Sequence, residues 1–266
     1  MWEFIKAFIL GIVEGLTEFL PISSTGHLIL VNQWVSFSEE FTILFDVFIQ
    51  MGAILSVIIF FRKEIFPASL KLLVHKEYLS FWMKILIAFM PAVVLGVLFS
   101  DVIEEKLFNI TTVSISLFIG GILIILIDRK KRQFKFDSVK TMPYLIAMYI
   151  GLFQCLAMVP GTSRSAATII GGLVLGASRK LAAEFSFYLA IPTIIGASVY
   201  SLAKSKIELS MQEIYLLIVG FIVSFVVALL VIRFFMNFIR KHSFEVFGYY
   251  RIVLALVIFI WLYLFQ

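Results

Sequence analysis

The sequence is poor in charge, in cysteine and in histidine. Only 15% of its 266 residues are Asp, Glu, Lys or Arg, whereas 62% are hydrophobic and the mean hydropathy is +1.06. A soluble fold of this length could not bury so much apolar surface, so the composition favours an integral membrane protein. The single cysteine, Cys155, excludes an internal disulfide. The net charge of +5 lies in short loops and forms no continuous basic face, which argues for a lipid bilayer as partner and against nucleic acid.

Apolar stretches recur along the whole chain. Six of them are predicted to be complete membrane spans: residues 41–61, 82–100, 113–127, 184–203, 214–232 and 248–265. Two more stretches, 7–35 and 147–177, are interrupted halfway by helix-breaking, hydroxyl-rich segments at 21–27 and 160–165. Irregular backbone at membrane depth is tolerated only where protein or water satisfies its polar groups. We therefore predict that both stretches form re-entrant helix–loop–helix hairpins.

The loops differ in charge. Basic residues lie in the loops 62–77, 128–140 and 233–243 and in the short Arg179-Lys180 link, which are predicted to be cytoplasmic. The loops on the other side are acidic or balanced. With six spans and two re-entrant hairpins, all basic loops lie on one side of the bilayer and both termini on the other. The sequence thus predicts a multi-pass membrane protein with both termini on the outer face.

The two halves of the chain are similar at an offset of about 140 residues. Residues 11–16 match 151–156, residues 45–48 match 185–188, and the two breaks follow at nearly the same spacing. Since each half holds one hairpin and three spans, the second copy must insert upside down. We predict a single all-α domain, 1–266, in which inverted repeats of about 1–127 and 141–266 are joined by the cytoplasmic loop 128–140.

The first hairpin carries two carboxylates. Glu14 and Glu18 are one helical turn apart, so both project from the same face of the first helix towards the break. Carboxylates at membrane depth are costly and commonly mark a functional site. Two on one face suit Mg²⁺ or Ca²⁺, with water and phosphate completing the coordination. The alternative is that both are solvated at the membrane interface.

The first break is rich in hydroxyl groups. Ser23, Ser24 and Thr25 precede the second helix of the hairpin, where hydroxyls and free backbone amides predict a cradle for an anion. Ser24 is a candidate nucleophile, and His27 is a candidate base three residues further on. Helix capping by one of the serines, and a hydrogen-bonded core position for the histidine, are the alternatives.

The second break supplies a positive charge. Arg164 stands between Ser163 and Ser165 in an apolar region, and Thr168 follows one helical turn later. An unpaired arginine at this depth costs several kcal/mol, so it needs an anionic partner, and its planar fork suits phosphate. The alternative partner is one of the two glutamates in the first hairpin.

These motifs resemble a known family. Residues 14–27 and 160–165 are similar to the two signatures of the undecaprenyl-pyrophosphate phosphatases of the BacA/UppP type, and residues 45–53 and 183–186 add to the resemblance. The resemblance implies an inverted-repeat fold, often a homodimer, in the bacterial cytoplasmic membrane, with its catalytic pocket open to the outer face. It implies divalent-cation dependence and a link to bacitracin resistance. It also implies roles in pyrophosphate hydrolysis for Glu14, Glu18, Ser23, Ser24, His27, Ser163, Arg164, Thr168 and Arg251.

The residues and the resemblance together predict a mechanism. An isoprenoid tail lies along the lipid-facing spans, while Arg164 and the loop amides hold the terminal phosphate of undecaprenyl pyrophosphate. A cation on Glu14 and Glu18 neutralises charge. Attack by Ser24 with His27 as base, attack by His27 itself and attack by water are all open. A secondary transporter of phosphate or a lipid phosphate is the alternative function, because such carriers are also inverted repeats with broken helices, but it would release no phosphate.

Overall fold

The structure is a computed structural model that describes residues 1–66, 75–130, 133–204 and 208–265. The basic residues Lys71, Lys131 and Arg132 of the predicted cytoplasmic loops lie outside the described residues. The helices are, in chain order, α1 (Trp2–Thr17), α2 (Ser24–Val31), α3 (Glu39–Phe60), α4 (Arg62–Ile65), α5 (Lys76–Leu107), α6 (Ile110–Arg129), α7 (Tyr144–Gln154), the 3₁₀ helix Cys155–Met158, α8 (Arg164–Val174), α9 (Arg179–Lys204), α10 (Met211–Phe238) and α11 (Glu245–Phe265).

Six of these helices, α3, α5, α6, α9, α10 and α11, are long and apolar enough to cross a membrane. They correspond one to one to the predicted spans, so the all-α, six-span prediction is confirmed for the part of the chain that the structure describes. Most of them extend a few residues past the predicted bounds, because polar flanking residues continue the helix. The described residues contain no strand, only an isolated bridge between Phe136 and Ala177.

The two predicted hairpins consist of short helices on either side of a break. The helices α1 and α2 are 16 and 8 residues long, and α7 and α8 are 11 residues each. The helix α1 packs against α2, and α7 packs against α8, as a hairpin requires. Pro21 and Pro160 lie within the breaks, where a residue without a backbone N–H cannot continue the preceding helix.

The hairpins pack on opposite halves of the molecule. The helix α1 lies along α10, and α7 lies along α5. A Cβ added at Gly11 would be 2.8 Å from the carbonyl oxygen of Gly220, and one at Gly151 would collide with the carbonyl of Ala88. Glycine at these two positions therefore lets the helix backbones approach closely. Two further pairs of helices show the same exchange, with α3 on α10 and α9 on α5. The inverted repeat and its boundaries stay a prediction, which this exchange of contacts supports.

Charged pairs connect the ends of the helices. One set joins residues of the loops 62–77 and 128–140, the Arg179-Lys180 link and Glu245, which follows the loop 233–243; a fourth pair lies at the other ends of α5 and α9. The pairs are Lys140–Glu77 (2.5 Å), Arg179–Asp128 (2.7 Å) and Arg129–Glu245 (2.7 Å) in the first set, and Lys204–Asp101 (3.2 Å) at the other end. The described basic segments thus share one end of the molecule.

Candidate active site

Both breaks end in the same unusual backbone conformation. Ser23 (φ 75°) and Ser163 (φ 72°), 140 positions apart, are the non-glycine residues with positive φ among those that the structure describes. Side chains other than glycine rarely adopt this left-handed region, and strain of this kind is commonly found at functional sites. Each serine caps the helix that follows: Ser23 Oγ accepts a hydrogen bond from the Gly26 amide and Ser163 Oγ one from the Ala166 amide, both at 3.2 Å. The capping alternative therefore applies to Ser23, and Ser24 remains free of that role.

The breaks meet and line one cleft, which has a cavity volume of about 180 Å³. The amino-terminal ends of α2 and α8 both reach it, and helix amino-termini favour anions. Apolar side chains, among them Phe108, Met158 and Ile194, form the rest of the wall. The polar residues that line the cleft are Glu18, Ser23, Ser24, Thr25, Gln50, Ser163, Arg164 and Thr193.

Glu18 connects the two breaks. Its Oε1 lies 3.1 Å from Nη2 of Arg164, and its Oε2 accepts a short hydrogen bond from the Ser24 hydroxyl. The side chains of Glu18 and Arg164 are only 8% and 12% exposed. The ion pair that was considered as an alternative is therefore present, and it places a carboxylate, a hydroxyl and a guanidinium in direct contact at the wall of the cleft.

Arg164 is held in place from behind. Its Nη1 donates to the carbonyl oxygen of Ser186 at 2.8 Å, and Thr168 donates to the Ser186 hydroxyl at 2.7 Å. Thr168 and Ser186 are fully buried and do not line the cleft. Thr168 therefore supports Arg164 through Ser186, and its predicted contact with a phosphate stays a prediction. Ser165 is also buried, and its hydroxyl joins the two breaks by donating to the Leu20 carbonyl at 2.8 Å.

His27 is not in contact with Ser24. Its Nδ1 donates to the Ser23 carbonyl at 2.7 Å, and its Nε2 accepts from the Tyr250 hydroxyl at 2.7 Å. Because α2 begins at Ser24, the imidazole lies one helical turn further on, where it points back towards the carbonyl of the capping residue Ser23. The hydrogen of the Ser24 hydroxyl goes to Glu18 instead. The base role predicted for His27 has no contact to support it.

Arg251 was expected among the phosphate ligands, but the structure gives it other partners. Its side chain is fully buried, and its five N–H groups meet five backbone carbonyls at 3.0 to 3.3 Å. No donor remains for a phosphate. Since Pro21 carries one of these carbonyls and Gly161 and Thr162 carry two, Arg251 holds both breaks in position, and the phosphate-ligand prediction is replaced by this role.

Replacing Arg251 by lysine should therefore destabilise the fold by about 3 kcal/mol or more, because three ammonium donors cannot satisfy five buried carbonyls. Thermal unfolding in detergent measures the effect. Arg129→Lys is the control, since Arg129 is exposed and its pair with Glu245 contributes little. Unfolding of Arg251→Lys at the parental temperature would contradict this role.

Glu14 is fully buried, and no donor reaches either of its carboxylate oxygens, although its carboxyl group is close enough to Glu18 to share a hydrogen bond when one of the two is protonated. Its charge interactions are with Glu18, Asp46 and Arg164. A buried carboxylate without donors is what a bound cation would satisfy. Each oxygen of Glu18 carries one contact, to Arg164 or to the Ser24 hydroxyl, and keeps acceptor capacity, so the metal pair of Glu14 and Glu18 stays a prediction. Among the residues that the structure describes, no three His, Cys, Asp or Glu side chains form a metal-ligand cluster.

The sequence did not single out several residues of the site. Gln50 and Thr193 line the cleft, Ser186 supports Arg164, and Tyr250 holds His27. For Ser186 and Gln50 there was a signal, because both lie in segments of family resemblance, 183–186 and 45–53. Thr193 and Tyr250 lie in apolar spans, where nothing in the sequence distinguishes them.

The fold and the cleft define a class: a polytopic membrane protein in which two broken helices enclose a polar cleft, with a hydroxyl bonded to a carboxylate beside an arginine. The model of the family "Bacitracin resistance protein BacA" matches residues 7–257, and the chain belongs to this family. The resemblance seen in the motifs is thereby confirmed.

Relatives are similar over nearly the whole chain. Undecaprenyl-diphosphatase 1 of Clostridioides difficile (strain 630) is 48% identical over 266 residues, which are 98% of this chain and 97% of the relative. An undecaprenyl-diphosphatase of Pseudomonas syringae pv. tomato is 48% identical over 258 residues, with 97% and 94% covered. One of Acetivibrio thermocellus is 45% identical over 265 residues, with 97% of both chains covered.

Proposed function

We propose that this protein hydrolyses undecaprenyl diphosphate to undecaprenyl phosphate and inorganic phosphate, and so recycles the lipid carrier of cell-wall synthesis. Family membership supports the activity, and bacitracin resistance is the associated phenotype. The observation that carries the proposal is the contact of the Ser24 hydroxyl with Glu18, which is itself paired with Arg164.

The terminal phosphate enters between the two breaks and takes Arg164 as its partner. A diphosphate carries more charge than a carboxylate and offers a bidentate acceptor to the guanidinium. Arg164 also keeps a buried Nε–H without a partner, which a phosphate oxygen can accept. Binding thus relieves Glu18 of its positive partner at the moment when a base is needed next to Ser24.

Ser24 is the nucleophile of the proposed reaction, and Glu18 is the base. As the Ser24 Oγ–P bond forms, its proton passes to Glu18, and the bond from the terminal phosphorus to the bridging oxygen breaks. Undecaprenyl phosphate leaves with the bridging oxygen. Water then attacks the phosphoserine, and inorganic phosphate is released. A divalent cation, Mg²⁺ or Ca²⁺, would offset the charge of the diphosphate, with Glu14 as the residue best suited to hold it.

We place the protein in the bacterial cytoplasmic membrane with its basic loops inside, as the positive-inside rule indicates, and with the cleft open to the outer face, as the family resemblance implies. The substrate then arrives laterally from the lipid, along the apolar wall of the cleft. The homodimer implied by the family resemblance belongs to the same proposal.

Phosphate release from farnesyl pyrophosphate and from undecaprenyl pyrophosphate by the purified protein tests the function. We expect both to be hydrolysed, and no release from Ser24→Ala prepared in parallel. A parent protein that releases no phosphate, but moves a labelled lipid phosphate across vesicle membranes, would be a carrier instead.

A further inference from the structure

A second cavity lies at the end of the molecule that carries the basic segments, where the carboxyl-terminal ends of α6 and α8 meet the start of α9. Its volume is about 250 Å³, and it shares no lining residue with the cleft. Three cations line it, Arg129, Lys130 and Arg179, together with one carboxylate, that of Asp128. The proposed hydrolysis uses none of these residues, so the cavity needs an explanation of its own.

The carboxylate in this cavity is already satisfied. Asp128 is buried, and its Oδ1 accepts from Nε of Arg179 at 2.7 Å, while its Oδ2 accepts from the backbone amide of Phe244 at 2.6 Å. These two contacts join the end of α6 to the start of α9 and to the residue before α11. Asp128 therefore holds the helix ends together, and its charge offsets one of the three cations.

The cations keep donors for a ligand. Arg179 contacts Asp128 through Nε and Nη2, and Arg129 uses its Nε on Glu245 and its Nη2 on a tyrosine of the same helix. Within the part of the chain that the structure describes, the Nη1 of both arginines and the Nζ of Lys130 make no hydrogen bond. The pair of Arg129 with Glu245 is exposed and contributes little. A phosphate group could accept from all three nitrogens.

The cavity lies at the boundary between a membrane span and a loop. The helix α6 is long and apolar enough to cross a membrane, and it ends at Arg129. Leu126, one helical turn before Lys130, and Leu123 before it are exposed, as is Phe134 in the wall of the cavity. An apolar surface that lipid chains can cover thus continues directly into a basic cavity.

We propose that this cavity binds the headgroup phosphate of an anionic phospholipid, whose acyl chains lie along the exposed apolar face of α6. A cluster of basic residues directly after a span, here 129–132, is typical of such sites. A free phosphate ion would use the same donors but would gain nothing from Leu123 and Leu126. The proposal is independent of the proposed hydrolysis, because the cavity and the cleft have no residue in common.

Native mass spectrometry of the full-length protein in detergent, titrated with phosphatidylglycerol or phosphatidylcholine, tests the site. We expect one phosphatidylglycerol to bind at least tenfold more tightly than phosphatidylcholine. The double variant Arg129→Gln/Lys130→Gln should bind it about 25-fold more weakly, since each basic residue at a membrane surface contributes about fivefold. Lys63→Gln/Lys241→Gln is the matched control, because both lysines are exposed in basic segments outside the cavity. The control should stay within twofold of the parent.

Equal affinity of the parent for the two lipids would overturn the site. So would an equal loss in the control variant, because the binding would then reflect the general surface charge. Displacement of the lipid by millimolar inorganic phosphate would assign the cavity to a free anion instead. Thermal unfolding without added lipid shows whether the double variant is folded. If it is not, Lys130→Gln alone decides, with binding expected to be about fivefold weaker; parental binding in that variant would contradict the proposal.

Discussion

Replacing Arg164 by alanine should lower kcat/KM for farnesyl pyrophosphate about a thousandfold, since a guanidinium on a transferring phosphate contributes on that scale. Arg164 is the positive charge in contact with the Ser24–Glu18 pair, and it lines the cleft between the two breaks. The loss should be in turnover and not in insertion, because Ser163 and Ser165 still make their contacts to the Ala166 amide and the Leu20 carbonyl. Phosphate release measured over a substrate range gives the two kinetic constants.

Arg164→Lys tests whether charge alone is sufficient. Lysine keeps the charge but cannot donate to Glu18 and the Ser186 carbonyl from one planar group, so we expect a loss of at least a hundredfold. Arg233→Lys is the control, because Arg233 is exposed on α10 and lies outside the cleft. Near-parental activity in Arg164→Lys would reduce the arginine to a general positive charge.

The architecture could be predicted from the sequence, because a helix that crosses a bilayer must be about 20 residues long and apolar, and such stretches are easy to recognise. Apolar stretches of span length became α3, α5, α6, α9, α10 and α11. A proline followed by a run of hydroxyl residues marked each break, whereas proline alone did not, since Pro91 and Pro192 lie inside α5 and α9. Only the helix ends were missed, since α5 begins at Lys76 and α10 continues to Phe238, where polar or basic residues sit in regular helix. The resemblance of the two halves also indicated where the hairpins would meet.

The contacts within the site were harder to predict, because they depend on irregular backbone. Spacing placed His27 one turn from Ser24, but the positive φ of Ser23 sets the direction in which the chain enters α2 and leaves Glu18 beside the hydroxyl. Arg251 was misjudged for a different reason. Its partners are main-chain carbonyls, which every residue has and which no sequence pattern displays.

Ser24→Ala and Glu18→Gln should both lower turnover at least a thousandfold, but for different reasons. Without the hydroxyl no covalent intermediate can form, whereas without the carboxylate the hydroxyl remains but its proton has no acceptor. His27→Ala should lose less than either, because His27 contacts Ser23 and Tyr250 and not the nucleophile. Ser114→Ala is the control: Ser114 is a buried serine that donates only to the carbonyl of Ile110 in its own helix.

Rapid quenching with substrate labelled in the terminal phosphate identifies the nucleophile. If Ser24 attacks, acid-stable label should appear on the peptide that contains it in the parent, and none in Ser24→Ala. Label that is lost in acid but kept in alkali would assign the attack to histidine. Absence of label in the parent, under conditions where a single turnover is observed, would mean that water attacks directly and that Glu18 activates it. Hydrolysis by Ser24→Ala at close to the parental rate would reduce Ser24 to a phosphate ligand. Glu18 would then accept a proton from the attacking water instead of from the serine.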